Sequence, residues 1–181
     1  MQELVSIIMG VYNDANLLSQ AIDSLLAQTY AKWELIACDD CSTDNTSDIL
    51  SEYVKNDPRI IVIRNEKNCG LAATLNHCLE YAQGEYIARM DCDDLSVETR
   101  LEKQVSYLQG HPEIDLVGTF MQAFDESGKK NIIESKQYPT KNFDLPKGAP
   151  FAHATIMIRT SAMKHLNGYC ISNYTVRTED V

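Results

Sequence analysis

Between Val5 and Val11 the chain runs almost continuously apolar and then breaks into the polar triplet Tyr12-Asn13-Asp14. A run this short, without alternation, is the pattern of a strand buried on both faces, as in a parallel sheet covered by helices. The following segments keep to that plan. Leu17, Leu18, Ala21, Ile22, Leu25 and Leu26 fall at helical spacing, with Asp14 or Asn16 placed to cap the helix. Trp33 to Cys38 reads as a second strand, followed by a helix carrying Ile49, Leu50, Tyr53 and Val54 behind the caps Thr43 and Asp44. Ile60 to Ile63 is a third strand. Gly70 then opens a helix with Leu71, Leu75, Cys78, Leu79 and Ala82 on one face, and Gly84 stops it. Glu85 to Met90 is a fourth strand, and Leu101, Val105 and Leu108 mark a helix ending near Gly110 and Pro112. Strand and helix alternate throughout, which predicts an α/β fold with a mostly parallel central sheet and helices on both faces.

Beyond this point the pattern loosens. Leu116 to Phe124 predicts a fifth strand, and residues 125 to 150, rich in Lys, Asn, Pro and Gly, predict a long mobile loop. Thr155 to Ile158 reads as a strand, Ser161 to Leu166 as a short helix and Gly168-Tyr169 as a turn. A length of 181 residues with 44% hydrophobic content suits one domain with one substantial core. The last residues, Thr178-Glu179-Asp180-Val181, suit the acidic start of a helix, so the expectation is a domain truncated at its C-terminus.

The formal charge of -10 argues against broad contact with nucleic-acid phosphates, which rests on clustered Lys and Arg. A polyanionic ligand needs a cation between itself and this chain. No basic region precedes an apolar stretch at the N-terminus, and no apolar run approaches the about 20 residues that span a bilayer, so the expected location is cytoplasmic. In that setting the six cysteines are expected as reduced thiols, and the triplets at Asn45 and Asn173 are not glycosylation sites. Cys38-Asp39-Asp40-Cys41 is a C-x-x-C, but it straddles a strand end rather than a helix start, and no second pair supplies the ligands zinc requires.

In an open parallel sheet, ligands bind outside the carboxyl ends of the strands. Acids fall at three such ends: Asp14 after the first strand, Asp39 and Asp40 after the second, and Asp91, Asp93 and Asp94 after the fourth. One aspartate after a strand is commonly a turn former or helix cap. Several on one edge repel each other unless a cation or donors neutralise them, and oxygen ligands suit Mg2+ or Mn2+ bridging to phosphates.

Five motifs in order carry a resemblance: Ser6-Ile7-Ile8-Met9-Gly10-Val11-Tyr12-Asn13, Ala27-Gln28-Thr29-Tyr30, Asp39-Asp40-Cys41-Ser42-Thr43-Asp44, Asn68-Cys69-Gly70 and Asp91-Cys92-Asp93-Asp94. Over residues 4 to about 110, and more loosely to the end, the chain resembles family 2 glycosyltransferases of the GT-A, Rossmann-like fold. The resemblance implies an inverting transferase that moves a hexosyl or N-acetylhexosaminyl group from a nucleoside-diphosphate sugar, a UDP-sugar, to an acceptor hydroxyl in polysaccharide biosynthesis. Residues 1–110 are then the nucleotide-sugar-binding half and 111–181 the acceptor-side half. Gly10, Val11 and Tyr12 line the base and ribose pocket, Asp40 accepts a hydrogen bond from the pyrimidine, and Asp93 lies near the ribose. Asp93 or Asp94 holds Mn2+ or Mg2+ on the diphosphate, and Asp91 completes the motif. Thr178-Glu179-Asp180 is similar to the family's general-base motif, with Asp180 as the base. A saccharide or lipid-linked saccharide is the implied acceptor, with peripheral contact at the inner face of the plasma membrane through a part beyond Val181.

The chain departs from the family pattern at Gly10, where a larger residue is frequent, and at Cys41, where glycine is frequent. His153, ahead of a strand, reads as a structural residue or a donor to an oxyanion, and Arg177 as a phosphate contact or a partner of Glu179. Two other functional classes stay open. A metal-dependent nucleotidyltransferase also combines an α/β sheet with acids, but it carries a Gly-rich basic loop that is missing after Val11. A non-catalytic nucleotide-sugar-binding domain keeps the fold without the base.

Overall fold

The computed structural model describes residues 3–125, 128–133 and 152–171. The elements in chain order are β1 (Val5–Val11), α1 (Leu18–Leu26), β2 (Trp33–Asp39), α2 (Thr46–Asn56), β3 (Ile60–Arg64), α3 (Leu71–Tyr81), β4 (Tyr86–Arg89) and α4 (Arg100–Gly110). They continue with β5 (Leu116–Val117), β6 (Met121–Asp125), β7 (Gly128–Ile133), β8 (Met157–Arg159) and α5 (Thr160–His165). Six strands form one sheet in the order β3-β2-β1-β4-β8-β5. The first four run parallel, and β8 is antiparallel to both β4 and β5. The mostly parallel α/β sheet expected from the sequence is therefore present.

β1 is central and apolar because both of its faces are covered. Ile7, Met9 and Val11 join a core closed by Leu18, Ile22 and Leu25 of α1, Leu50 of α2 and Leu101, Val105 and Leu108 of α4. Ile8 turns the other way, to Leu75 and Cys78 of α3 and Met163 of α5. The order reverses at β1, with β2 on one side and β4 on the other. The crevice at their carboxyl ends is the topological switch point of the sheet.

Several local expectations are corrected. Leu116 to Phe124 is not one strand: the amide of Thr119 is taken by Thr155 Oγ1 at 3.1 Å, and the chain leaves the sheet before β6. The expected loop from residue 125 begins as a strand, since β7 pairs antiparallel with β6; residues 134–151 lie outside the described residues. The expected strand from Thr155 starts two residues later, because His153–Thr155 form a 3₁₀ turn. No side chain caps α1. Asp14 contributes its carbonyl to Leu18 N at 3.2 Å and keeps its carboxylate for the sheet edge. Gly84 does not end α3, which stops at Tyr81. A side chain at Gly84 would meet Leu4 O and Ser6 N at 2.6 Å, so glycine is needed there for close backbone approach. Cys38, Cys41, Cys69, Cys78 and Cys92 carry free thiols. No helix among the described residues is long and apolar enough to cross a membrane.

Candidate functional site

The loops that follow β1 and β2 are tied to each other. Asn13 N donates to Ser42 Oγ at 3.0 Å, and Asn13 Oδ1 accepts from Thr43 N at 2.8 Å. Ala15 N donates to Asp44 Oδ2 at 3.1 Å, and the other oxygen of Asp44 accepts from Thr46 N at the start of α2. Asn13 and Cys41 both take positive φ, 51° and 64°, to make these turns. Asparagine visits this region with help from its side chain, whereas cysteine gains nothing from it. The frequent family glycine at position 41 thus has a backbone reason, and this chain bears the cost.

The two aspartates ending β2 point to different partners. Asp39, 1% exposed, is used up structurally: it accepts from Ser42 N at 2.8 Å and pairs with Arg64 Nη1 at 2.7 Å. Asp40 is 4% exposed and faces the start of α3. Its Oδ1 accepts from Asn65 Nδ2 at 2.7 Å and Cys69 N at 2.8 Å, and its Oδ2 accepts from Gly70 N at 2.9 Å. The Asn68-Cys69-Gly70 motif is therefore a pair of amides aimed at one carboxylate, at the positive end of a helix. An ionised carboxylate has about four acceptor positions, so three bonds leave about one to spare.

Gly10 sits under α3. A Cβ there would lie 2.9 Å from Leu71 Cδ1 and 3.2 Å from Thr74 Cγ2, so the small residue lets the helix lie close to β1. Val11 buries its side chain in the core and offers only backbone to the edge, while Tyr12 is half exposed.

The acidic motif follows β4. Arg89, 3% exposed, forms an ion pair with Asp91. Asp14, Cys92 and Asp93 bring their ligand atoms within 4.8 Å of one another. Burial raises the Asp14 carboxyl, partly offset by a hydrogen bond from Cys92 and reinforced by the charge of Asp93. Burial, Asp14 and the charges of Asp93 and Asp91 push the Cys92 thiol up, keeping it protonated. Burial followed by Asp91 and Asp93 raises Asp94, with Arg89 and Arg100 offsetting part of the effect. Arg100 is buried beneath the motif and donates to Arg89 O at 2.6 Å; burial, then the charge of Arg89, lowers it to about 10.

Two carboxylates held close at the sheet edge are a donor set that a hard cation satisfies. Asp93 and Asp14 fit such an ion, whereas a protonated thiol at Cys92 does not suit one. From sequence Asp14 reads both as a helix cap and as one of the acids at the strand ends, and its approach to Asp93 is a tertiary result. Beside these acids a cavity of about 330 Å³ is bounded by Asp93, Asp94, Leu17, Gln20, Met121 and Phe124. A larger hollow of about 420 Å³ between α3 and α5 includes none of the sheet-edge aspartates.

The Ala27-Gln28-Thr29-Tyr30 motif steadies this region. Buried Gln28 donates to Val97 O at 2.9 Å and Ser96 Oγ at 3.2 Å, and accepts from Leu101 N at 3.1 Å. It pins the stretch between the acidic motif and α4. His153 lies with its ring 5.2 Å from that of Tyr169, edge-on. Asp180, Arg177 and the rest of the expected base motif lie outside the described residues.

Known proteins share the sequence and fold of this chain. The chain is 48% identical over 178 residues, 98% of its length, to the putative glycosyltransferase EpsE of Bacillus subtilis, covering 64% of that protein. It is 46% identical over 105 residues to WfgD of Escherichia coli, a UDP-Glc:alpha-D-GlcNAc-diphosphoundecaprenol beta-1,3-glucosyltransferase, covering 58% of this chain and 41% of that protein. The chain thus spans less than two thirds of the length of these relatives. In fold it is similar to S. aureus TarS 1-349, solved in complex with UDP, with a TM-score of 0.76 and 22% identity over 97% of this chain and 52% of that one. The family model for glycosyl transferase family 2 matches residues 6–166, and the chain belongs to that family.

Proposed function

We propose that the chain is the donor-binding and catalytic part of an inverting transferase that moves a hexosyl or N-acetylhexosaminyl group from a UDP-sugar to an acceptor hydroxyl in polysaccharide biosynthesis. The observation that carries this reading is the shared sheet edge. Asp40, with acceptor capacity to spare at the end of β2, and the Asp14 and Asp93 pair beside β1 and β4 stand at the switch point of one sheet.

In this reading Asp40 accepts the ring N–H of the pyrimidine, and Gly10, Val11 and Tyr12 border the base and ribose, Gly10 and Val11 through backbone. Asp91, fixed by Arg89, and Asp93 face the ribose and diphosphate. Asp93 and Asp14, whose carboxylates lie close together, with Asp94 next in the chain, would hold Mn2+ or Mg2+, and the ion would supply positive charge to the departing diphosphate. Asp180 takes the proton of the acceptor hydroxyl as that oxygen bonds to the anomeric carbon. The bond from that carbon to the diphosphate oxygen breaks on the opposite face, and the nucleoside diphosphate leaves. Residues 1–110 serve as the donor half and 111–181 as the acceptor half. The name of WfgD pairs UDP-Glc with a lipid-linked acceptor, which supports a saccharide or lipid-linked saccharide acceptor here, met at the inner face of the plasma membrane.

The test is UDP release from a panel of UDP-sugars with Mn2+ or Mg2+ present. Release from one sugar, falling about 100-fold or more in Asp180→Asn, is the expected result. Release that the substitution leaves unchanged removes Asp180 from the chemistry. UDP binding without turnover of any sugar means a non-catalytic nucleotide-sugar-binding domain.

A further inference from the structure

Asp40 is one end of a side-chain relay that reaches a histidine on α3. Asn65, just past the end of β3, spends its amide nitrogen on two acceptors, Asp40 Oδ1 at 2.7 Å and Thr74 Oγ1 at 3.0 Å. Its carbonyl oxygen lies 2.7 Å from Nδ1 of His77. The orientation is forced. A carboxylate already receiving two backbone N–H groups acts as an acceptor, so the NH2 of Asn65 must face it and the carbonyl must face the imidazole. His77 therefore carries its hydrogen on Nδ1 and donates it to Asn65.

The histidine is itself held. Its ring lies edge-on to Tyr81, 5.7 Å between centroids, and Cys38 Sγ approaches the same Nδ1 at 3.7 Å. Fixing the ring fixes the amide, and fixing the amide fixes the carboxylate. Asn65 and Cys69 N occupy Oδ1, while Oδ2 takes only Gly70 N, so the remaining lone pair is on Oδ2.

We propose that His77, acting through Asn65, is a positioning residue that sets nucleobase choice at Asp40. A carboxylate kept as a pure acceptor satisfies a ring with an N–H at position 3, as in uracil. It opposes a ring with a lone pair there, as in cytosine, because two acceptors then face each other. Without the His77 donor the Asn65 carbonyl loses its partner and the amide is free to swing away, which weakens its hold on Asp40 Oδ1 and with it the fixed direction of the carboxylate. This inference rests on Asp40 meeting the base.

The experiment compares UDP and CDP affinity, in Mn2+, for the full chain and for His77→Leu, His77→Gln and Asp40→Asn. The expected result is about a tenfold loss of UDP affinity in His77→Leu with CDP unchanged. His77→Gln, whose amide also donates, recovers most of the loss. Equal losses for UDP and CDP would mean that His77 only packs the helix, and overturn the proposal. So would unchanged UDP affinity in His77→Leu while Asp40→Asn weakens it. If Asp40→Asn leaves UDP affinity unchanged, the base contact itself is wrong and the proposal falls with it.

Discussion

Gly70 and Asp40 stand thirty residues apart in the chain, and the amide of the first donates to the carboxylate of the second at 2.9 Å. That bond joins the end of β2 to the start of α3, so the side chain assigned to the base also anchors a helix. Asp40→Ala strips an acceptor from Asn65, Cys69 N and Gly70 N together. Urea unfolding is expected to show a loss of about 2 kcal/mol, because three hydrogen bonds to one charged acceptor are lost together and such bonds contribute more than neutral ones. A variant as stable as the parent would mean that these donors find other partners.

Cys41 offers a test in the opposite direction. Its φ of 64° belongs to a region that glycine enters freely and a cysteine enters at a cost. Cys41→Gly is expected to stabilise the fold by about 1 kcal/mol, read as a higher urea midpoint with unchanged slope. A lower midpoint would show that the contact of Cys41 Sγ with Glu66 O, at 3.6 Å, outweighs the strain.

The acidic motif predicts a pH dependence with a definite sign. Burial and the charges of Asp91 and Asp93 raise the Asp94 carboxyl in the folded state. A raised carboxyl favours folding fully below its unfolded value, about pH 4, and that contribution is lost as pH rises through the folded value. In metal-free buffer Asp94→Asn is therefore expected to melt above the parent at pH 7, with the difference shrinking toward pH 4. A difference independent of pH, measured by thermal unfolding across that range, would assign the effect to something other than charge.

Gln28 is expected to matter well away from any substrate. Gln28→Ala leaves Leu101 N without its side-chain acceptor and releases Ser96 and Val97. A loss of about 2 kcal/mol, with faster hydrogen exchange between the acidic motif and α4, is the expected signature. Unchanged exchange there would show that the stretch is held by other contacts.

The sheet was legible because buried parallel strands and amphipathic helices have different periods, and β1 to α4 follow them closely. The later elements were less so: Leu116 to Phe124 has strand composition throughout, and a tertiary bond from Thr119 to Thr155 falls where it divides. At the site, Asp40 and the motif from Asp91 stood out as acids at strand ends. Asp14 was visible, but its approach to Asp93 depends on how two loops meet across the sheet edge. Asn65 carries a weaker form of the same signal, a polar residue at the end of a parallel strand that bears no charge. His77 gave no signal, since a histidine on a half-buried helix face is ordinary until its partner is known.

The central claim is that one sheet edge binds a nucleoside diphosphate through Asp40 and a divalent ion through Asp93. Calorimetric titration of UDP into the chain, with and without Mn2+, tests it most directly. Binding that strengthens with Mn2+, and that loses its metal dependence in Asp93→Ala while the fold is kept, is the predicted result. UDP that fails to bind in either condition, or binds equally well without the metal, would contradict it.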